Sequence, residues 1–217
     1  MTIKRILLLL LLSLLLTGCG RLFLTADTIP WINQNPVLFK DDFTDQTGGW
    51  MTYQDSLSFA GYEQSGFRLM TDVPNYQIWS VPGLSFRNTQ IFVQARKIEG
   101  IDDNLFGLMC RYQDQAHYYA FVISSDGYFG IYKKIDGQLA LIDQAHMDFS
   151  VAINQGTGVN DIQVVCLDDQ LVLTVNNRRL LQVRDDTLTY GDVGLIAGSY
   201  ETPGVSILFD NFIVLKR

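Results

Sequence analysis

Tyr118-Tyr119-Ala120-Phe121-Val122-Ile123-Ser124-Ser125-Asp126-Gly127-Tyr128-Phe129-Gly130-Ile131-Tyr132-Lys133-Lys134 is the stretch that decides the fold. Two runs rich in aromatic and β-branched residues, the types that fit a pleated half-buried surface, flank Ser125-Asp126-Gly127. An Asp-Gly pair supplies the backbone freedom of a tight hairpin, so 118–123 and 128–134 are expected to pair antiparallel. The pattern repeats outward. Asp136-Gly137 turns the chain into 139–142, and 105–112 precedes the hairpin. Upstream, 89–98 alternates, with Ile91, Val93 and Ala95 on one face and Phe92, Gln94 and Arg96 on the other. That is the period-two mark of a half-buried strand. Downstream, 162–167, 171–175 and 180–183 are separated by Asp168-Asp169 and Asn176-Asn177, residues that tolerate left-handed backbone. Segments 191–198 and 205–215 close the domain. Roughly a dozen short strands with frequent turns predict an all-β, antiparallel two-sheet sandwich rather than a βαβ fold.

The N-terminus is of another kind. Lys4 and Arg5 precede 6–16, a leucine-rich run interrupted by Ser13, and then Leu16-Thr17-Gly18-Cys19. The run is well short of the roughly 20 residues needed to span a bilayer and suits the apolar core of a signal peptide. Leu16 to Cys19 resembles the lipobox of bacterial lipoproteins. That resemblance implies cleavage before Cys19, lipidation of its thiol with diacylglycerol, and further acylation, typically palmitate, on the new N-terminus. Two or more acyl chains hold a protein stably on a membrane. The expected division is a signal peptide over 1–18, a lipidated tether over 19–37 and a β-sandwich over 38–217. The expected location is extracytoplasmic, anchored to the cell membrane or the outer membrane. Gly20 in place of Asp after the cysteine leans toward the outer one where the host has two.

With 16 basic and 23 acidic residues the net charge is −7, and loss of Lys4 and Arg5 makes it more negative still. Nucleic acid, which needs a cationic surface, is excluded as a partner. Besides Cys19 there are two cysteines, Cys110 and Cys166, each within an expected strand. Outside the cytoplasm such a pair is expected to form a disulfide, either along a ladder or between the two sheets. Leu108, Cys110 and Tyr112 are expected to share a face by simple alternation.

Three stretches carry a wider resemblance. They are Phe39-Lys40-Asp41-Asp42-Phe43 with Gly48-Gly49-Trp50, the central strands from Phe106 through Ile131, and an ending made of Gly191-Asp192-Val193-Gly194-Leu195 and Phe209-Asp210-Asn211-Phe212-Ile213-Val214. Together they resemble the concanavalin A-like jelly roll of legume lectins, laminin G-like domains, family 16 glucanases and several carbohydrate-binding modules. The resemblance covers nearly the whole of the chain after Cys19. It implies pairing of the first and last strands. It also implies a structural calcium near their meeting point, for which Asp42 and Asp210 are the candidate ligands, helped by Asp41 and Asn211.

Catalytic patterns are missing. Retaining glycosidases place two carboxyl groups about 5–5.5 Å apart, and the family 16 enzymes do so with Glu-x-Asp-x-x-Glu on a strand. The glutamates here, Glu63, Glu99 and Glu201, are scattered. Asp102-Asp103, Asp168-Asp169 and Asp185-Asp186 are adjacent pairs expected in solvated turns. His117 and His146 stand near no nucleophile elbow, and no Cys/His cluster suggests zinc. The chain is therefore expected to be non-catalytic. Aromatic rings that take the C–H faces of sugars are the candidate binding groups: Trp79, Tyr112, Tyr118, Tyr128 and Tyr132, with Arg111 as a polar partner. Trp50, after two glycines, is expected to plug the core. Two functions follow first, a lectin-like module that binds glycan, or a structural lipoprotein that meets a protein partner in the envelope; a third is a degenerate or unusual glycosidase, which a cleft lined by two carboxyl groups would reveal.

Overall fold

The computed structural model describes residues 35–63 and 66–217. The expected signal peptide, Cys19 and most of the tether lie outside the described residues. The described chain is all-β, in two antiparallel sheets with no helix.

The seven-stranded sheet contains the deciding hairpin. Its strands are β5 (Gln77–Ser80), β7 (Asn104–Asp114), β8 (His117–Ile123), β9 (Tyr128–Ile135), β10 (Gln138–Leu141), β11 (Asp148–Phe149) and β15 (Asp192–Ser199). Their order is β10-β9-β8-β7-β15-β5, with β11 also on β9. The Asp126-Gly127 turn closes as expected, with Gly127 at φ +101° and Ile123 opposite Phe129. The nine-stranded sheet holds β1 (Val37–Asp41), β2 (Tyr53–Gln54), β3 (Ser58–Glu63), β4 (Gly66–Thr71), β6 (Thr89–Gly100), β12 (Asn160–Leu167), β13 (Gln170–Val175), β14 (Arg178–Arg184) and β16 (Val205–Lys216). Asp168, Asn176 and Asn177 take positive φ at the turns of the β12-β13-β14 meander. The first and last strands pair, Phe39 opposite Val214. β16 keeps β6 along one side but changes partner on the other, from β4 to β1, around Asn211, where φ is +55°.

Between the sheets lies the main core. Ile91, Val93 and Ala95 of β6 face it, as their alternation requires, together with Phe106 and Leu108 of β7 and Tyr119, Phe121 and Ile123 of β8. Trp50 plugs one end, with its ring centroid 4.9 Å from that of Phe212 and 5.5 Å from those of Phe43 and Phe67. Its indole nitrogen donates to Asp41 Oδ2 at 3.0 Å. Gly48-Gly49 makes this possible. A Cβ at Gly48 would stand 1.8 Å from that carboxylate oxygen, and Gly49 has φ +77°.

Cys110 of β7 and Cys166 of β12 form the disulfide, so it crosses from one sheet to the other rather than running along a ladder. Arg111, beside it, makes a second cross-sheet tie. Its guanidinium donates to the carbonyl oxygens of Asp168 at 2.7 Å and Leu188 at 2.6 Å.

Asp185 corrects the expectation of a solvated turn carboxylate: its side chain is 11% exposed. It accepts from Lys133 Nζ, from the Tyr119 hydroxyl at 2.5 Å and from the Thr187 amide at 3.0 Å. Burial by itself would raise its pKa, but the hydrogen bonds from Lys133, Tyr119 and Thr187 outweigh it and hold the carboxyl at about 2. The folded pKa is thus below the ordinary 3.8. The stabilisation, roughly 2 kcal/mol, is complete above the unfolded value and is lost as pH falls through the folded one. Urea unfolding at a series of pH values is expected to show wild type and Asp185→Asn converging between about pH 4 and pH 2. A gap between them that stays constant over that window would contradict the assignment.

Candidate functional site

The seven-stranded sheet has a second buried cluster on the face turned away from the core. Leu105 and Met109 of β7, Tyr118, Ala120 and Val122 of β8, and Ile196 of β15 form it, and Trp79, Tyr112, Tyr132 and Tyr200 pack against it. Outward-facing residues of a sandwich are ordinarily polar. An outer face floored with aromatic and aliphatic groups is the feature of this fold that simple core-building leaves unexplained.

Tyr112 reaches that face through a bulge. Strict alternation puts it inward with Leu108 and Cys110, and the structure corrects this. The register of β7 against both neighbours shifts across Arg111, which has φ +52°. A bulge re-aims the side chains that follow it. Here Arg111 turns inward and Tyr112 outward. There Tyr112 stacks on Tyr118, centroids 6.1 Å apart and planes 24° from parallel. Trp79 leans on both rings at 6.5 Å and donates its indole N–H to the Tyr112 hydroxyl at 3.2 Å. With that N–H committed, Trp79 can offer a ligand only its apolar ring.

Tyr118 is fully buried and works as floor rather than as a contact surface, which corrects its expected role. Burial, with Tyr112 adding, pushes its hydroxyl up to about 12, so it stays protonated and donates to Gln77 Oε1 at 3.1 Å. Lys134, opposite Tyr118 in the register, lies over its ring with Nζ 5.5 Å from the centroid. Beside this cluster, sharing Trp79, Leu105 and Lys134 with it, is an open pocket of about 390 Å³, lined by those three and by Asn75, Tyr76, Gln77, Leu139, Ser199 and Tyr200. The volume falls within the range of small-ligand sites. Ser199 is tied to the Val73 carbonyl at 2.5 Å, and Tyr200 to the Met147 sulfur at 3.2 Å, so that wall is braced. At the end of β15 opposite Ser199, Asp192 holds the 83–84 loop by accepting the amides of Gly83 at 2.8 Å and Leu84 at 2.9 Å. Burial pushes its pKa up to about 6 against those bonds and that of the Val193 amide.

The expected binding residues thus divide. Trp79, Tyr112, Tyr118 and Tyr132 share the outer face. Tyr128 stands exposed and packs edge-on against Phe149, centroids 5.6 Å apart. Arg111 is no ligand partner: it is 2% exposed, with its charge spent on two carbonyls between the sheets. The sequence reading missed Gln77, Lys134 and Tyr200. Alternation was a usable signal for the first two, since Gln77 is two residues from Trp79 and Lys134 two from Tyr132.

The carboxylates expected to hold calcium are engaged locally. Asp42 Oδ1 accepts the amide of Thr44 at 3.1 Å and its hydroxyl at 2.6 Å. Asp210 accepts the Asn211 amide at 2.7 Å, and burial, with the charge of Asp42 adding, raises its pKa. No group of three or more His, Cys, Asp or Glu side chains converges for a metal among the described residues. His117 is the satisfied imidazole expected of it, 2.9 Å from Asp114 and 3.2 Å from Asp136.

No family model matches the chain, and no curated protein does. Solved structures do match. Carbohydrate-binding module CBM66 from Bacillus subtilis aligns with a TM-score of 0.62 at 14% identity, over 77% of this chain and 96% of that one. A Bacillus subtilis protein of unknown function with a galectin-like fold gives 0.58 at 12%, over 83% and 96%. Bacillus licheniformis β-glucanase gives 0.60 at 11%, over 85% and 100%. At these identities the likeness is one of fold: a β-sandwich shared by binding modules and glycoside hydrolases.

Proposed function

We propose that this chain is a lipid-anchored, extracytoplasmic and non-catalytic lectin-like protein that binds glycan on the outer face of its seven-stranded sheet. The observation that carries the reading is the pocket whose aromatic lining is Tyr76, Trp79 and Tyr200. Aromatic lining groups held by their own hydrogen bonds, Trp79 to Tyr112 and Tyr200 to Met147, beside planar polar groups such as Gln77 and Asn75, suit a sugar ring, which has apolar C–H faces and a hydroxylated rim. The solved structures named above include a carbohydrate-binding module and a glucanase of this fold, which supports the substrate class. The non-catalytic reading rests on the two central strands. Their outward positions are Leu105, Gly107 and Met109 on β7 and Tyr118, Ala120 and Val122 on β8. Retaining hydrolysis requires two carboxyl groups about 5–5.5 Å apart, which the family 16 pattern supplies from one strand at a spacing of two, and these positions hold none. The anchor rests on the sequence from Lys4 to Cys19.

Affinity electrophoresis of the detergent-solubilised chain through gels loaded with cell-wall polysaccharides tests this. Retardation by at least one polysaccharide is expected, with Trp79→Ala weakening it about tenfold or more, as for other central aromatic contacts. Cys19→Ser is expected to abolish palmitate labelling and to leave binding intact. Migration unaffected by any polysaccharide would defeat the glycan assignment and favour a protein partner.

A further inference from the structure

We infer that the pocket selects an anionic sugar, one bearing a carboxylate or a sulfate, and that Lys134 is the group that reads the charge; this rests on the glycan-binding reading above. Among the lysines of the described residues, Lys97 is buried and Lys133 and Lys134 are partly buried. Lys97 pairs with Asp102, and Lys133 with Asp185. Among the described residues Lys134 has no ion-pair partner, and it lies over the Tyr118 ring. A partly buried ammonium is costly without a counter-charge, and a ring face compensates a fraction of that cost. Among the described residues the pocket lining supplies no Asp or Glu.

The neighbouring polar groups are also turned toward an acceptor. Gln77 uses its amide oxygen on the Tyr118 hydroxyl, which leaves its NH₂ as the free end. The indole N–H of Trp79 is already spent. An ammonium and an amide NH₂ lining one pocket with the apolar ring of Trp79 describe a ligand with oxygens that only accept, on a ring with a C–H face. In a chain of net charge −7 this cationic spot cannot recruit anions from a distance. Selection therefore comes from contact, inside the pocket, where charge-assisted hydrogen bonds are about twice as strong as neutral ones.

Titration calorimetry of the full chain in neutral detergent decides it, with polygalacturonate and dextran sulfate as anionic probes and dextran and lichenan as neutral ones. Binding of one anionic probe is expected to exceed that of both neutral ones and to weaken as salt is raised. Which probe binds tells carboxylate from sulfate. Lys134→Met is expected to weaken it by about tenfold or more, while Lys134→Arg retains it. A melting temperature for Lys134→Met within a few degrees of wild type shows that the pocket persists; if it falls further, the arginine variant and the salt series carry the decision. Neutral probes bound as tightly as anionic ones, or anionic binding indifferent to Lys134→Met, would overturn the inference and leave the glycan reading standing. Binding of no probe of either charge defeats both.

Discussion

Replacing Cys110 and Cys166 together by alanine is expected to cost roughly 4 kcal/mol of folding stability, because the bridge closes a long loop in the unfolded chain. The sequence separation of the pair is 56. For a domain of this size that corresponds to a fall in melting temperature of about 8–16 °C. The effect is large because the bond joins β7 to β12, strands of different sheets, where no backbone ladder duplicates it. Differential scanning calorimetry of wild type with and without reductant, beside the double variant, measures it. A double variant that melts within a degree or two of the oxidised protein would show that the two layers hold together without the bridge.

Arg111→Ala is expected to cost about 3 kcal/mol. The guanidinium is buried, and its removal strands the carbonyls of Asp168 and Leu188 away from water. Hydrogen bonds to charged groups contribute about 1.5–3 kcal/mol each, partly offset by relief from burying the charge. Arg111→Lys is not expected to rescue it, since a single ammonium cannot span two carbonyls from separate segments as a planar fork does. The consequences extend beyond stability. Arg111 is the residue at which β7 bulges and Tyr112 changes face, so the alanine variant is also expected to loosen the Tyr112–Trp79 contact and to lower glycan affinity. Near-ultraviolet circular dichroism, which reads the packing of Trp79 and the tyrosines, should change along with the denaturation midpoint. A destabilised variant with an unaltered aromatic signal would separate the tie from the bulge. Because Arg111 adjoins Cys110, its cost and that of the disulfide will not add, and the triple variant reports their coupling.

The hairpin at Asp126-Gly127 and the meander through Asp168 and Asn176-Asn177 were legible from turn residues and period-two alternation. The pairing of first and last strands was implied only by the resemblance to the concanavalin A-like jelly roll. Trp50 as core plug was legible too, since the two glycines before it leave little else for that turn to do. The candidate site was legible in part. Trp79, Tyr118 and Tyr132 were recognised as aromatic, but which of them face a ligand and which form the floor depends on what covers them.

The amino-acid order alone determined an all-β domain, its main turns and the residues within reach of a disulfide, because strand pattern and turn chemistry are written in neighbours two to four positions apart. The tertiary structure decided the rest. It decided that Cys110 meets Cys166 across the sheets, that Arg111 is buried while Tyr112 is not, that Asp185 is a hub rather than a solvated turn, and that Gln77, Trp79 and Lys134 surround one pocket. Those outcomes turn on a single extra residue in one strand and on contacts between segments far apart in the chain. One bulge inverts every later side chain on its strand, and no local periodicity announces where it will fall.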